Sequence, residues 1–259
     1  MKIAVCLSGM VRGQVPRNLQ RLKRILPYDY FYSTYTHREE DLWWFLGMDG
    51  EYTLFDEPKM HYNPVMDPPE LYTRKLKLLK QDGEKGDKLD VIEKTKHHTK
   101  QILSHANLVS HIPEDYDMII RVRYDAFISQ KIDFVHYLEK SYNENIAIGF
   151  GTRTSRWVDL DKLYVVPRRW PDGIDDTISQ DWGSYLMDVM IMHPRKLLDT
   201  EHAFKLHEEK KLLPAEVGWW QVLSEPTGGE NHISMYGGAQ IERFLTRTRY
   251  DNQQPRIPT

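Results

Sequence analysis

The stretch MIIRVRYDAFIS, residues 118–129, carries Arg121, Arg123 and Asp125 at alternate positions of an otherwise apolar run. In an extended strand, positions two apart point to the same face, so the spacing predicts three charged groups leaving the sheet on one side. Burial without partners would be costly. Two readings follow: a structural ion-pair cluster at a strand end, or a site for phosphate or metal. A second stretch, LSGMVR at residues 7–12, ends an apolar strand with residue types suited to a ligand. Ser8 and Gly9 let the backbone approach a bound group, and Arg12 is a donor for a phosphate or a base edge. It has neither the Lys-Ser/Thr pair of a Walker loop nor the G-x-G-x-x-G of dinucleotide folds, and a plain turn is the alternative for Gly9.

Those residues need elements to position them. The spacing predicts a strand over KIAVCLS, a loop over GMVRGQV, a helix over PRNLQRLKRIL and a strand over YDYFYSTY. Pro16 suits a first helical turn, and Leu19, Leu22 and Leu26 recur at helical spacing. Strand, loop, helix and strand make a parallel pair with a right-handed crossover. A short strand YTLFD follows at 52–56, then an irregular lysine-rich insertion at about 58–90, marked by breakers such as NPVMDPPE. Arg74–Lys100 holds nine Lys or Arg against five Asp or Glu, which reads as a solvated face or as a dock for an anionic substrate.

A helix is expected from about Val91 to Ser110, with Ile102, Leu103, Ala106 and Val109 on its apolar face. His97, His98, His105 and His111 lie along it, but only His98 and His105 share a face, two turns apart, whereas a helix-borne metal site needs ligands three or four apart. Beyond the charged strand come NIAIGFG, a polar and aromatic stretch at 151–184, the alternating strand LMDVMIMH, a helix after Pro194, a helix opening at PAEVGWWQVL, and a tail ending in one more strand or helix. Alternating strands and helices, then a mixed second half, predict an α/β fold whose ligand sits at the carboxyl ends of the strands.

Composition sets the outer limits. In 259 residues, 40% are hydrophobic and 12% aromatic, enough for a sizeable core. A net charge of −3 gives no general attraction to nucleic acid. A lone cysteine, Cys6, excludes an internal disulfide and a cysteine-rich zinc site and fits a reducing compartment. No run approaches the roughly 20 apolar residues of a membrane span, and MKIAVCLSG is too short for a signal peptide, so a cytoplasmic location is expected. Seven tryptophans exceed what the core asks for; most are read as packing residues, the rest as platforms for a sugar or base.

IAVCLSGMVR, YDYFYSTYT and YDMIIRVRYDAF together resemble a set of bacterial and viral GT-A-fold glycosyltransferases related to lipopolysaccharide-synthesis enzymes. These open with a Ser-Gly-x-x-Arg loop and carry an Arg-x-Arg-x-Asp strand end. The likeness runs in order over about residues 1–250, with SQDWG and PAEVGWW falling at an Asp-Trp segment and a Glu-led helix. It implies one GT-A-like, Rossmann-like domain over 1–250: a mixed, mostly parallel central sheet flanked by helices. Residues 1–130 would be the nucleotide-binding half, 131–250 the acceptor half, and 251–259 a tail.

The implied activity is metal-assisted transfer of a sugar from a nucleoside diphosphate, UDP first, to a glycan, lipopolysaccharide-type or other hydroxyl acceptor, in a bacterial cytoplasm or, for a viral protein, the host's. Ser8, Gly9, Arg12 and Arg123 would hold the nucleotide and Asp125 a Mn²⁺ or Mg²⁺, with His232 in TGGENHIS as a closing ligand better placed than His193. Arg123 replaces the first acidic residue of an Asp-x-Asp pair and would itself stabilise charge on the leaving diphosphate. An inverting transferase also needs a general base. Asp181, beside Trp182, and Glu216, beside Trp219 and Trp220, are the candidates; a cap or turn role for the first and a favourable helix-dipole position for the second are the alternatives. The competing class is a non-catalytic nucleotide- or carbohydrate-binding module on the same fold.

Overall fold

The computed structural model describes residues 1–11, 15–46, 51–58, 88–128, 133–151, 186, 188–209, 211–212, 215–229, 232–236 and 239–241. It begins as the sequence predicts. Strand β1 (Ile3–Ser8) leads through helix α1 (Val15–Ile25) to β2 (Asp29–Tyr35), and helix α2 (Glu39–Leu46) precedes β3 (Glu51–Phe55). Every residue of β1 is buried, the pattern of a strand covered on both faces. Leu19, Leu22 and Leu26, at the spacing noted above, are buried in the first crossover.

The long helix α3 (Lys88–His111) returns to β4 (Met118–Val122), followed by the short β5 (Ala126–Ile128). Helix α4 (Phe134–Glu144) is capped at its start by Asp133, whose side chain accepts from the His136 amide, and at its end by Asn145 in the left-handed region. Strands β6 (Ala147–Gly151) and β7 (Met190–Pro194), helices α5 (Thr200–Glu208) and α6 (Ala215–Leu223), and strands β8 (His232–Tyr236) and β9 (Ala239–Ile241) complete the described elements. Residues 59–87, most of the expected lysine-rich insertion, lie outside them, as does most of the polar and aromatic stretch 151–184.

The described strands form a seven-stranded sheet in the order β3-β2-β1-β4-β7-β6-β8, with β5 and β9 paired separately. β3, β2, β1 and β4 run parallel, β7 runs antiparallel to β4 and β6, and β8 is parallel to β6. This is the mixed, mostly parallel α/β sheet expected from the sequence. Helices α1 and α4 pack on one face through Leu19, Leu22, Phe134 and Leu138. On the other face α3, α5 and α6 pack through Ile102, Ala106, Ala203, Trp219 and Val222. From β1 the chain builds outward to β2 and β3, then returns to place β4 on the opposite side. That reversal falls at the carboxyl ends of β1 and β4, the position at which doubly wound sheets place their ligand crevice.

Candidate functional site at the carboxyl ends of β1 and β4

β1 reaches the crevice at Ser8 and turns at Gly9. Gly9 has φ of +97°, which a residue with a Cβ rarely adopts, and its amide donates to the Ser33 carbonyl at 3.2 Å. A Cβ there would meet no described atom within 4 Å, so the glycine is demanded by backbone conformation and not by crowding. Ser8 is buried, and its Oγ has no hydrogen-bond partner among the described residues. Arg12 lies outside the described residues.

β4 ends at least three residues earlier than the alternation over 118–129 predicts, before Arg123 and Asp125. The strand stops at Val122, and Arg123–Asp125 form a turn in which the Ala126 amide donates to the Arg123 carbonyl at 3.0 Å. Tyr124 explains where the turn is held. Its buried hydroxyl lies 3.0 Å from the Leu7 carbonyl and 3.1 Å from that of Ser33, tying the turn to the carboxyl ends of β1 and β2. Burial pushes the Tyr124 phenol well above its usual range, so it remains a neutral donor. Nothing in the sequence spacing marked Tyr124, whose role depends on carbonyls more than ninety residues upstream of it.

With Tyr124 turned to one face, the three charged residues meet on the other. Arg123 grips Asp125 through two contacts: Nε donates to Oδ1 at 2.8 Å and a terminal nitrogen to Oδ2 at 3.0 Å. The other terminal nitrogen of Arg123 lies 3.6 Å from Asp188 Oδ2, an ion pair longer than a hydrogen bond. Asp188 also accepts from Gln101 Nε2 at 2.9 Å, and Gln101 Oε1 accepts from Arg121 at 2.7 Å. Arg121 donates besides to the Asp188 carbonyl.

Arg121 is 1% exposed and stacks over Trp219, with its guanidinium carbon 4.8 Å from the ring centroid. Burial lowers its pKa to about 10, against the raising influence of Asp188, so it stays charged at neutral pH. The described groups thus form a line, Arg121, Gln101, Asp188, Arg123, Asp125, running from the core to the crevice. The described residues show the ion-pair cluster: Arg121 belongs to its buried part, and Arg123 with Asp125 forms its outer end.

Asp188 and Gln101 were not legible as site residues. The alternation of LMDVMIMH suggested one strand, but β7 begins only at Met190, and Asp188 lies in the irregular lead-in. Gln101 is an ordinary polar residue of α3 until the fold brings that helix over β4.

The histidines are placed differently. His232 begins β8, opposite Ala147 at the start of β6. β6 and β8 run in the direction of β4, so His232 sits at the amino edge of the sheet while Asp125 lies beyond the carboxyl edge. Its Nδ1 is 3.0 Å from Ser224 Oγ, and burial lowers its pKa. The structure therefore does not bring His232 to Asp125. His193 and His105 are fully buried with their Nε2 atoms 3.5 Å apart, and Trp219 packs on His105.

Asp181 lies outside the described residues, and Glu216 is in the first turn of α6. Among the described residues, no group of three or more His, Cys, Asp or Glu is placed to hold a metal ion, and no helix is long and apolar enough to cross a membrane.

No protein-family model matches the chain, and no curated protein matches it. Among solved structures it is similar to 4-diphosphocytidyl-2C-methyl-D-erythritol synthase from Anaerococcus prevotii, at 8% identity over 92% of this chain and 87% of that one, with a TM-score of 0.47. It is similar to mouse xyloside xylosyltransferase 1, at 9% identity over 89% and 83% with a TM-score of 0.41. A glycosyltransferase involved in glycosylation of the major capsid of PBCV-1 shares 8% identity over 90% and 81%, with a TM-score of 0.38.

Proposed function

We propose that the chain transfers a sugar from a nucleoside diphosphate, UDP first, to a hydroxyl acceptor of glycan or lipopolysaccharide type, with the donor diphosphate in the crevice between β1 and β4. The observation that carries this is the Arg123 guanidinium, fixed at the reversal point of the sheet by a two-point bond to Asp125. A guanidinium held there meets phosphate oxygens with little reorganisation. The glycine turn and the buried Ser8 hydroxyl, which has no partner among the described residues, stand on the neighbouring strand end. The first turn of α1 contains no acidic residue, so the partial positive charge of that helix start is not offset. Arg12 would complete the nucleotide contacts.

In the transfer, a carboxylate takes the proton of the acceptor hydroxyl as its oxygen bonds to the anomeric carbon. The bond from that carbon to the diphosphate breaks, and its electrons leave with the nucleoside diphosphate. Arg123 stabilises the charge that builds there. Asp181 is the first choice for the base and Glu216 the second.

The divalent cation implied by the resemblance fits the described donors poorly. Both oxygens of Asp125 accept from Arg123, His232 sits at the other edge, and among the described residues Asp188 is the second carboxylate beside Arg123.

The test is turnover against donor binding. Asp181→Asn should lower transfer from a UDP-sugar by about a hundredfold or more with donor affinity unchanged, and Glu216→Gln should cost less if Glu216 serves only its helix. Full transfer by Asp181→Asn removes the base assignment. Nucleotide binding by the unmutated chain with neither transfer nor donor hydrolysis makes the protein a binding module.

A further inference from the structure

We infer that the diphosphate charge at this site is met by the Arg123 guanidinium in place of a divalent cation, and that Asp125 is a positioning residue for that guanidinium. The inference rests on the nucleotide-sugar reading above and sharpens it. A carboxylate two residues after Arg123 invites assignment as a metal ligand, but the geometry gives it a different partner. Its two oxygens accept from Arg123 at 2.8 and 3.0 Å, the fork-to-fork arrangement in which a guanidinium is oriented by a carboxylate. Asp125 is 6% exposed, so the pair is shielded from competing water.

The second carboxylate is committed as well. Asp188 Oδ2 accepts from Gln101, its carbonyl accepts from Arg121, and the same carboxylate faces Arg123. Two positive and two negative side chains alternate along this line, and one of the cations, Arg121, is buried where no solvent neutralises it. A divalent ion entering at Asp125 would have to displace Arg123 and then sit beside the guanidinium it displaced, with Arg121 behind. Like charges at such separations repel strongly in a partly desolvated crevice. A diphosphate at the outer terminal nitrogen of Arg123 meets the long Arg123–Asp188 contact at 3.6 Å and leaves the two-point bond to Asp125 intact.

The line also accounts for residues outside any catalytic scheme. Gln101 donates to Asp188 and accepts from Arg121, so it fixes the carboxylate on whose strength of contact the competition depends.

The experiment is calorimetric titration of the full chain with UDP, GDP, CDP and ADP, in EDTA and again in excess Mn²⁺. The tightest nucleotide should bind in EDTA with an affinity within about threefold of that in Mn²⁺. Arg123→Ala should lose about tenfold or more in both buffers, and Asp125→Asn should weaken binding by the same factor in both. Should Arg123→Ala not fold by thermal denaturation, Arg123→Lys keeps the charge, loses the planar fork, and should still weaken binding in both buffers.

Binding that appears only with Mn²⁺, or a Mn²⁺ enhancement that Asp125→Asn abolishes, overturns the inference and leaves the nucleotide-sugar reading standing. Absence of binding by every nucleotide in both buffers overturns that reading, and this inference with it.

Discussion

The two faces of the central sheet are built on different principles. Under α1 and α4, β1 presents Ile3, Val5 and Leu7 and β4 presents Met118, Ile120 and Val122, packed on Leu19, Leu22, Phe134 and Phe150. Under α3 and α6 the same two strands present Ala4, Cys6, Ile119 and then Arg121, and their neighbours include the buried His105, His193 and Asp188. One face is held mainly by apolar area, with the hydroxyls of Tyr30, Tyr32, Tyr124 and Tyr137 as its polar atoms among the described cluster. The other trades apolar area for a charged line that surfaces at the crevice. A charge buried for stability alone is weakly motivated, since hydrophobic replacements of such groups are often as stable. The contrast therefore assigns packing to the first face and positioning of Arg123 to the second.

The largest expected break in that contrast is Arg121→Ala. It leaves Gln101 Oε1 and the Asp188 carbonyl without their donor and opens a void against Trp219. Removing one partner of a buried charged cluster costs about 3–5 kcal/mol, read as a fall in the urea midpoint at constant slope. The variant should also bind nucleotide more weakly. A loss of stability with unchanged nucleotide affinity would reduce the charged line to a structural cluster.

The sequence showed some of this and hid the rest for physical reasons. β1, α1 and β2 were legible because two apolar and aromatic runs, the helical spacing of Leu19, Leu22 and Leu26, and Pro16 agreed over one continuous stretch. Arg123 and Asp125 were legible as a pair through their spacing. The break after Val122 was not, because it is imposed by the Tyr124 hydroxyl reaching the carbonyls of Leu7 and Ser33. Asp188 and Gln101 enter only through the packing of α3 over β4 and the antiparallel run of β7. His232 misled for the same kind of reason. A glycine-rich neighbourhood carries no record of which edge a strand starts from, and that edge is set by the parallel pairing of β8 with β6.

Next in size is a pH effect confined to the polar face. Burial holds the His193 imidazole down at about 4, with Arg195 pushing the same way against the Pro194 carbonyl, and His105 is lowered by burial, His193 and Arg121. The ordinary histidine value is 6.5, so between it and about 4 the unfolded chain binds a proton that the folded chain refuses. Stability from this source is complete above the ordinary value and is lost as pH falls. For His193 alone the loss is about 2 kcal/mol between about pH 7.5 and about pH 5, measured by urea denaturation at each pH. His193→Phe should flatten that slope. A slope identical in the two proteins would place the acid sensitivity elsewhere.

The smallest expected effects come from the apolar face and sharpen the contrast most. Ile120→Val removes one buried methylene and should cost about 1 kcal/mol, with nucleotide affinity unchanged, because the residue touches the core and nothing in the charged line. Tyr124→Phe has a similar stability cost of about 1 kcal/mol, since it deletes one buried hydroxyl and keeps the ring. Its consequence differs. The lost hydroxyl is the one that ties the Arg123–Asp125 turn to the carboxyl ends of β1 and β2. Two variants matched in stability by denaturation should then separate in nucleotide titration: Ile120→Val should bind as the unmutated chain does, and Tyr124→Phe should bind more weakly by about threefold to tenfold. Equal affinities would mean that Tyr124 serves only the core, and that Asp125 alone holds Arg123 in place.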